Sequence, residues 1–246
     1  QFFLGAAGMG RRIPLAENVP ECTRLGGLIV GGKPKNDKPR KEAAELKLTE
    51  FLILAALWML LGFMLWYYLS AFHGIPARMM SEVILAQLLE NDFSQIIAEP
   101  NQRFLFQVET WIPFVFPEGS TEALGFVVNP LIFSYGLPLL FGLVMASGVS
   151  WARKAFILLT GYVVIALVQV WGVVWQSLKM LAFNFGEQTH AVVQAHGISD
   201  TAIAMGYQLG TLILPALAPI LVWILSNRPL VEQLVGWRTD APDRNR

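Results

Sequence analysis

Charge is missing from four long parts of this chain. Residues 51–72, 130–149, 155–178 and 203–226 contain no Asp, Glu, Lys or Arg over 22, 20, 24 and 24 residues. At about 1.5 Å of rise per residue, each is long enough to cross a hydrocarbon core of roughly 30 Å as a helix. A charge-free membrane interior also argues against an ion pump or proton relay, which uses ionisable groups inside the bilayer. Cysteine is almost absent: the single Cys22 excludes an intramolecular disulfide and any Cys-x-x-Cys metal site. Histidine is scarce, and His73, His190 and His196 all fall outside the uncharged runs. No phosphate-binding loop, dinucleotide fingerprint or zincin motif is present.

What charge there is has been sorted. The chain is neutral overall, with 18 basic and 18 acidic residues, and its mean hydropathy is +0.50. Residues 1–50, Arg153 with Lys154, and the segment after 226 hold all the basic residues but Arg78, Arg103 and Lys179. Cationic loops resist translocation, so this asymmetry predicts both termini and the 151–154 turn in the cytoplasm. Residues 73–129 and 179–202 are then external. The expected fold is an all-α integral membrane protein of the inner membrane, with four transmembrane helices, N-in/C-in. A small α/β extracytoplasmic insert separates helices 1 and 2.

The first 47 residues differ from the rest, being rich in Gly, Pro and Lys. They read as a flexible cytoplasmic tail whose basic stretch, Lys33 to Lys41, suits anionic membrane lipid better than nucleic acid. No apolar run there is long enough for a cleavable signal peptide. Lys41-Glu42-Ala43-Ala44-Glu45-Leu46-Lys47 favours a helix continuing into the first span. The membrane domain is expected over 48–230 and a second cytoplasmic tail over 231–246.

Trp66, Tyr67, Tyr68 and Phe72 mark the outer head-group level of span one. Residues 77–90 predict an interfacial helix, with Arg78 and Glu82 on one side and Met79, Met80, Val83 and Ile84 on the other. The period then changes. Phe104, Phe106 and Val108 alternate with Arg103, Gln107 and Glu109, and Leu124, Phe126 and Val128 alternate similarly. These predict two antiparallel strands joined by a 111–119 loop. Two strands are marginal alone, so they are expected to lean on the membrane surface or a partner.

Span two opens on Asn129-Pro130, a cap followed by a first-turn proline, and Tyr135-Gly136-Leu137-Pro138 predicts a kink. Pro215 and Pro219 should bend span four. The polar residues Tyr135, Gln169, Tyr207 and Gln208 all fall in the outer half of the membrane. An amide in hydrocarbon needs a hydrogen-bond partner, so these four are the candidate binding cluster, facing the bundle interior and bonding one another. One reading is a polar pocket open to the outside; the other is packing between helices, and spacing does not separate them. Glu187 and His190 share a helix face but make a weak metal signal, and no metal or cofactor is expected. Met145-Ala146-Ser147-Gly148 is similar to the serine of intramembrane proteases, but no span holds a histidine to activate it, so a helix-end turn is expected. Lys179 is expected to snorkel to the outer head groups, one turn above Trp175.

Several of these elements together resemble the exosortase H-associated membrane proteins. They are the aromatic-ended first span, the external insert, Asn129-Pro130-Leu131-Ile132-Phe133-Ser134-Tyr135-Gly136-Leu137-Pro138, Val170-Trp171-Gly172, Leu178-Lys179-Met180-Leu181-Ala182-Phe183, and Gly206-Tyr207-Gln208-Leu209-Gly210 through Pro219. The likeness covers roughly residues 50–230. It implies association with an exosortase, a bacterial polytopic transpeptidase-like enzyme acting on proteins with a C-terminal sorting signal. An exosortase itself needs a cysteine nucleophile with Arg and His partners, and this chain has no cysteine beyond Cys22. The resemblance therefore implies a non-enzymatic accessory protein that contacts a membrane enzyme or its substrate through its outer face. The alternative is a small transporter component with a polar cavity between helices 2, 3 and 4.

Overall fold

The computed structural model describes residues 38–116 and 119–235, and the side chains of 48–116 and 119–232 among them. Both tail readings fall mainly outside the described residues. The first helix, α1 (Lys38–Tyr68), starts just before the predicted helix-forming stretch and continues through it and the apolar run Leu48–Tyr68. After it come α2 (Ser70–His73) and α3 (Ile75–Leu89), which has Pro76 in its first turn, where a missing N–H costs nothing. The buried face of α3 is Ala77, Ser81, Leu85 and Leu89, while Met79, Met80 and Val83 are exposed on the opposite side. Glu90 (φ 45°) makes the turn into the sheet in a conformation that side chains rarely adopt.

The sheet has three strands, not two. β1 (Phe93–Ala98), β2 (Phe106–Val115) and β3 (Thr121–Val128) form an antiparallel meander in that order. β1 escapes a strict alternation test because its pairing with β2 slips between Phe93 and Gln95. β2 runs through most of the stretch expected to be a loop, with a second irregularity between Glu109 and Pro113. There the Thr110 hydroxyl donates to the Leu124 carbonyl at 2.8 Å and accepts from the Ile112 N–H, filling the interrupted ladder. Pro113 lacks an N–H, and a bulge tolerates that.

The apolar face of the sheet closes on the chain's own helices. Phe93, Ile96, Phe106, Val108, Ile112, Leu124, Phe126 and Val128 share one core with α3 and with the C-terminal half of α5 (Trp151–Phe183). At 33 residues, α5 is roughly 50 Å long, well beyond the hydrocarbon thickness. Its surplus presents Val170, Val173, Val174, Leu178, Leu181 and Ala182 to that core. Two helices complete this end: α6 (Glu187–Ala195) and α7 (Asp200–Gln208), the latter capped by the Ser199 hydroxyl.

Among the described residues, three helices are long and apolar enough to cross a membrane: Leu48–Tyr68, Trp151–Phe183 and Asp200–Ser226. The expected second span, 130–149, does not form one continuous helix. The Asn129 side chain caps a 3-10 turn, Pro130–Phe133, and the helix α4 (Gly136–Ala146) that follows has 11 residues, roughly 16 Å. The break lies at Ser134 and Tyr135, just before Pro138, and Ser147 turns extended at the other end. In the last span, a π-helical segment, Leu209–Ile213, separates α7 from α8 (Leu214–Ser226). Pro215 and Pro219 cannot donate backbone hydrogen bonds, and the widened turn sits directly before them. A short helix, α9 (Arg228–Val235), follows.

Small residues set the helix contacts, as expected where hydrocarbon surrounds the helices. Gly142 of α4 lies against the backbone of Ala55 and Met59 in α1, and Gly136 lies against the Pro215 carbonyl. One end of the bundle gathers Phe51 beside Trp223 (5.5 Å), Lys154 donating to the Met145 carbonyl, and Arg153 donating to the Ser226 carbonyl. The sheet lies beyond the opposite end of α1 and α5.

Candidate functional site

The four polar residues expected to form one cluster differ in burial and in their partners. Gln169 is buried on α5, and its amide donates to the Pro130 carbonyl at 3.1 Å. That carbonyl belongs to the 3-10 turn entering α4, so Gln169 ties α5 to the chain entering α4. Tyr135 is half-buried at the start of α4. Tyr207 is half-buried on α7, with the Lys179 ammonium 5.3 Å from its ring centre. Lys179 therefore meets an aromatic face. Gln208 is exposed. No hydrogen bond joins any two of the four, and none of them lines either described cavity.

Aromatic residues and glycines join α5 to the last span instead. The Trp171 indole donates to the Gly206 carbonyl at 2.9 Å, while the Trp175 ring packs where a Gly206 side chain would sit. Gly210 receives the edge of Trp171 and the backbone of Gly172, and Gly172 receives the ring of Phe133. Glycine is needed here for close approach, because each ring or backbone occupies the space of a Cβ. The sequence signal was present in Val170-Trp171-Gly172 and in Gly206-Tyr207-Gln208-Leu209-Gly210, but their partnership is tertiary.

A second group surrounds the exit of α1. The Trp66 indole donates to the buried Ser134 hydroxyl at 3.2 Å and stacks on His73, and the Tyr162 hydroxyl donates to the His73 carbonyl. Both His73 ring nitrogens are buried without a hydrogen-bond partner. Burial holds this imidazole below its ordinary value, and the nearby carbonyls of His73 and Trp66 offset only part of that.

The other histidines pair with carboxylates. His190 lies 3.0 Å from Asp200, which also accepts from Gln194, and joins α6 to α7. His196 lies 2.9 Å from Asp92 and ties the α6–α7 loop to the turn before β1. Among the described residues, no three His, Cys, Asp or Glu converge as metal ligands. The Ser147 hydroxyl donates to the Leu143 carbonyl and accepts from the Trp223 indole at 2.9 Å, which binds the end of α4 to α8.

Much of the outer surface is apolar. The most apolar stretch of α1 is only 11% buried and that of the last span 22%, against 56% for α5. Gln208 lies on the exposed side of that last span, beside the π-helical segment. Its amide makes no hydrogen bond among the described residues. It sits five residues, about 7.5 Å, inside the uncharged run that starts at Ile203.

The family model described as exosortase H-associated membrane protein matches residues 45–230. The chain belongs to that family, and it is therefore a membrane protein of a kind associated with an exosortase system. No curated protein and no solved structure matches it.

Proposed function

We propose, from this membership, that the chain is a non-enzymatic accessory protein of the inner membrane. It engages an exosortase-type membrane enzyme, or that enzyme's substrate, through its outer half. The observation that carries this reading is Gln208, an unpartnered amide on an exposed face within an apolar run. A primary amide left in hydrocarbon costs several kcal/mol in principle, about 2–7 kcal/mol depending on the reference. A transmembrane segment of the partner offers the missing hydrogen bond, and the exposed sides of α1 and the last span offer it area to pack on.

The proposed threading is four crossings with both ends cytoplasmic. The sorting of Lys and Arg supports it, as does the gathering of Phe51, Arg153, Lys154 and Ser226 at the end away from the sheet. The second crossing joins the 3-10 turn to α4, and its shortness is accommodated by neighbouring helices and local thinning of the bilayer. The sheet and α6 then stand outside.

The test is a photo-crosslinking amino acid at position 208, in cells that also make the exosortase. Adducts with the enzyme or its substrate are expected at 208, and not at Leu159, an exposed position on α5. Equal yields at both positions, or none at 208, would refute the docking role of this face.

A further inference from the structure

The external segment 73–129 carries seven Asp or Glu and only two basic residues, Arg78 and Arg103. Those two line the same cavity. It measures about 220 Å³ and lies between the α2–α3 junction and the end of β1, with Phe72, Ile75, Ala98 and Phe106 among its walls. The volume falls below the roughly 300–1,000 Å³ of sites that enclose drug-sized ligands, but it accepts a small anionic group.

Both guanidinium groups have donors to spare. Arg78 reaches the Ile96 carbonyl at 3.3 Å, which fixes its head group and leaves the other N–H groups available. Arg103 is exposed in the β1–β2 turn. The ion pairs among the described residues are the two histidine–aspartate contacts, so neither Glu82 nor Glu99 forms a salt bridge with either arginine despite their closeness in sequence. Two like charges brought to one cavity without a carboxylate form a receptor for an anion, and the guanidinium fork suits phosphate oxygens.

The surroundings say what the anion is attached to. Phe72 is 70% exposed and Ile75 42% exposed, and they continue into exposed Tyr68 and Met79. This apolar lip begins where the first candidate span ends. Tyr67, in the last turn of that span, packs against Phe104 with ring centres 6.1 Å apart, and so holds the turn bearing Arg103 at the membrane boundary. We infer that Arg78 and Arg103 form a binding site for the phosphodiester head group of a phospholipid. The lipid's acyl chains lie along Phe72, Ile75 and Met79. The inference is independent of the docking role of Gln208.

The experiment uses the full chain purified in an uncharged detergent, with thermal unfolding followed as ligand is added. Dioctanoyl phosphatidylglycerol is expected to raise the midpoint in a saturable way. Arg103→Gln and Arg78→Gln should each weaken its apparent affinity about tenfold or more, the loss of one charge-assisted contact. Arg103 is exposed and makes no side-chain hydrogen bond among the described residues, so its variant should unfold like the parent without lipid. An unchanged lipid response in Arg103→Gln overturns the site. Dioctanoylglycerol giving the full shift removes the need for the anion, and the proposal fails. Inorganic phosphate giving an equal shift at equal concentration makes the ligand a soluble anion and overturns the lipid assignment. A hexaglutamate peptide that shifts the midpoint where the lipid does not makes the cavity a peptide site, again against the inference.

Discussion

Gly142→Ala tests the seam that holds α1 to the rest of the protein. A Cβ at position 142 would lie 2.6 Å from the Ala55 carbonyl oxygen, 2.9 Å from Met59 Cβ and 3.1 Å from Met59 Cα. Ordinary carbon–oxygen contacts across helix interfaces are about 3.3 Å or longer, so α1 must retreat by roughly 0.7 Å. The obstacles are backbone and Cβ atoms, which a change of rotamer cannot clear. Overpacking of this kind costs about 1–3 kcal/mol, and the better helix propensity of alanine returns up to about 1 kcal/mol. With that return taken in full, a net loss of about 0–2 kcal/mol lowers the unfolding midpoint by up to roughly 8 °C for a chain of this size. The assay is thermal unfolding of the purified protein in a mild detergent, read by tryptophan fluorescence. Gly62→Ala is the comparison: its nearest atoms are Phe141 Cδ1 at 3.0 Å and Pro138 at 3.3 Å, and its loss should be smaller. Met59→Ala leaves both contacting Met59 backbone-proximal atoms in place and should not rescue Gly142→Ala. A raised midpoint in Gly142→Ala, or rescue by Met59→Ala, would refute the close backbone approach of α1 and α4.

Gln169→Leu should cost about 1–3 kcal/mol, because the buried Pro130 carbonyl loses its donor while the volume barely changes; denaturant midpoints measure it. The depressed imidazole of His73 gives a pH effect of definite sign. Its contribution is complete above about pH 6.5 and is lost as pH falls through the lower folded value, since protonation then favours the unfolded chain. His73→Phe should therefore flatten the midpoint-versus-pH curve below about 6.5, and parallel curves for the two proteins would exclude His73 as the source. For threading, cysteines replace Glu122 and Arg153, both exposed, in a chain carrying Cys22→Ser. An impermeant thiol reagent on intact cells should label position 122 and spare 153, and the opposite pattern inverts the proposed orientation.

Periodicity and charge were enough for the elements that are governed locally. The uncharged runs marked the three long apolar helices, and the spacing over 77–90 marked most of α3. Asn129 marked its cap, and Phe106, Val108, Phe126 and Val128 marked the buried sides of β2 and β3. The shortness of α4 was less legible, because hydropathy counts apolar residues and does not register a helix broken at Ser134. β1 was hidden for a related reason: its pairing slips, and a slipped strand loses the alternation by which strands are recognised.

The candidate cluster shows the same boundary at the level of single side chains. Composition required that Gln169 and Gln208 find partners, since amides in hydrocarbon are costly. It did not say which partners, because helix rotation and the backbone breaks at Ser134 and at Leu209–Ile213 decide what each side chain faces. Gln169 turns inward to a carbonyl 39 positions away, whereas Gln208 faces out. Likewise the sequence determined that Arg78 and Arg103 are the only Lys or Arg residues within 73–129, since that is a matter of counting. Only the antiparallel return of β1 to β2 brought them to one cavity, because nearness in space between distant positions comes from chain reversal and packing.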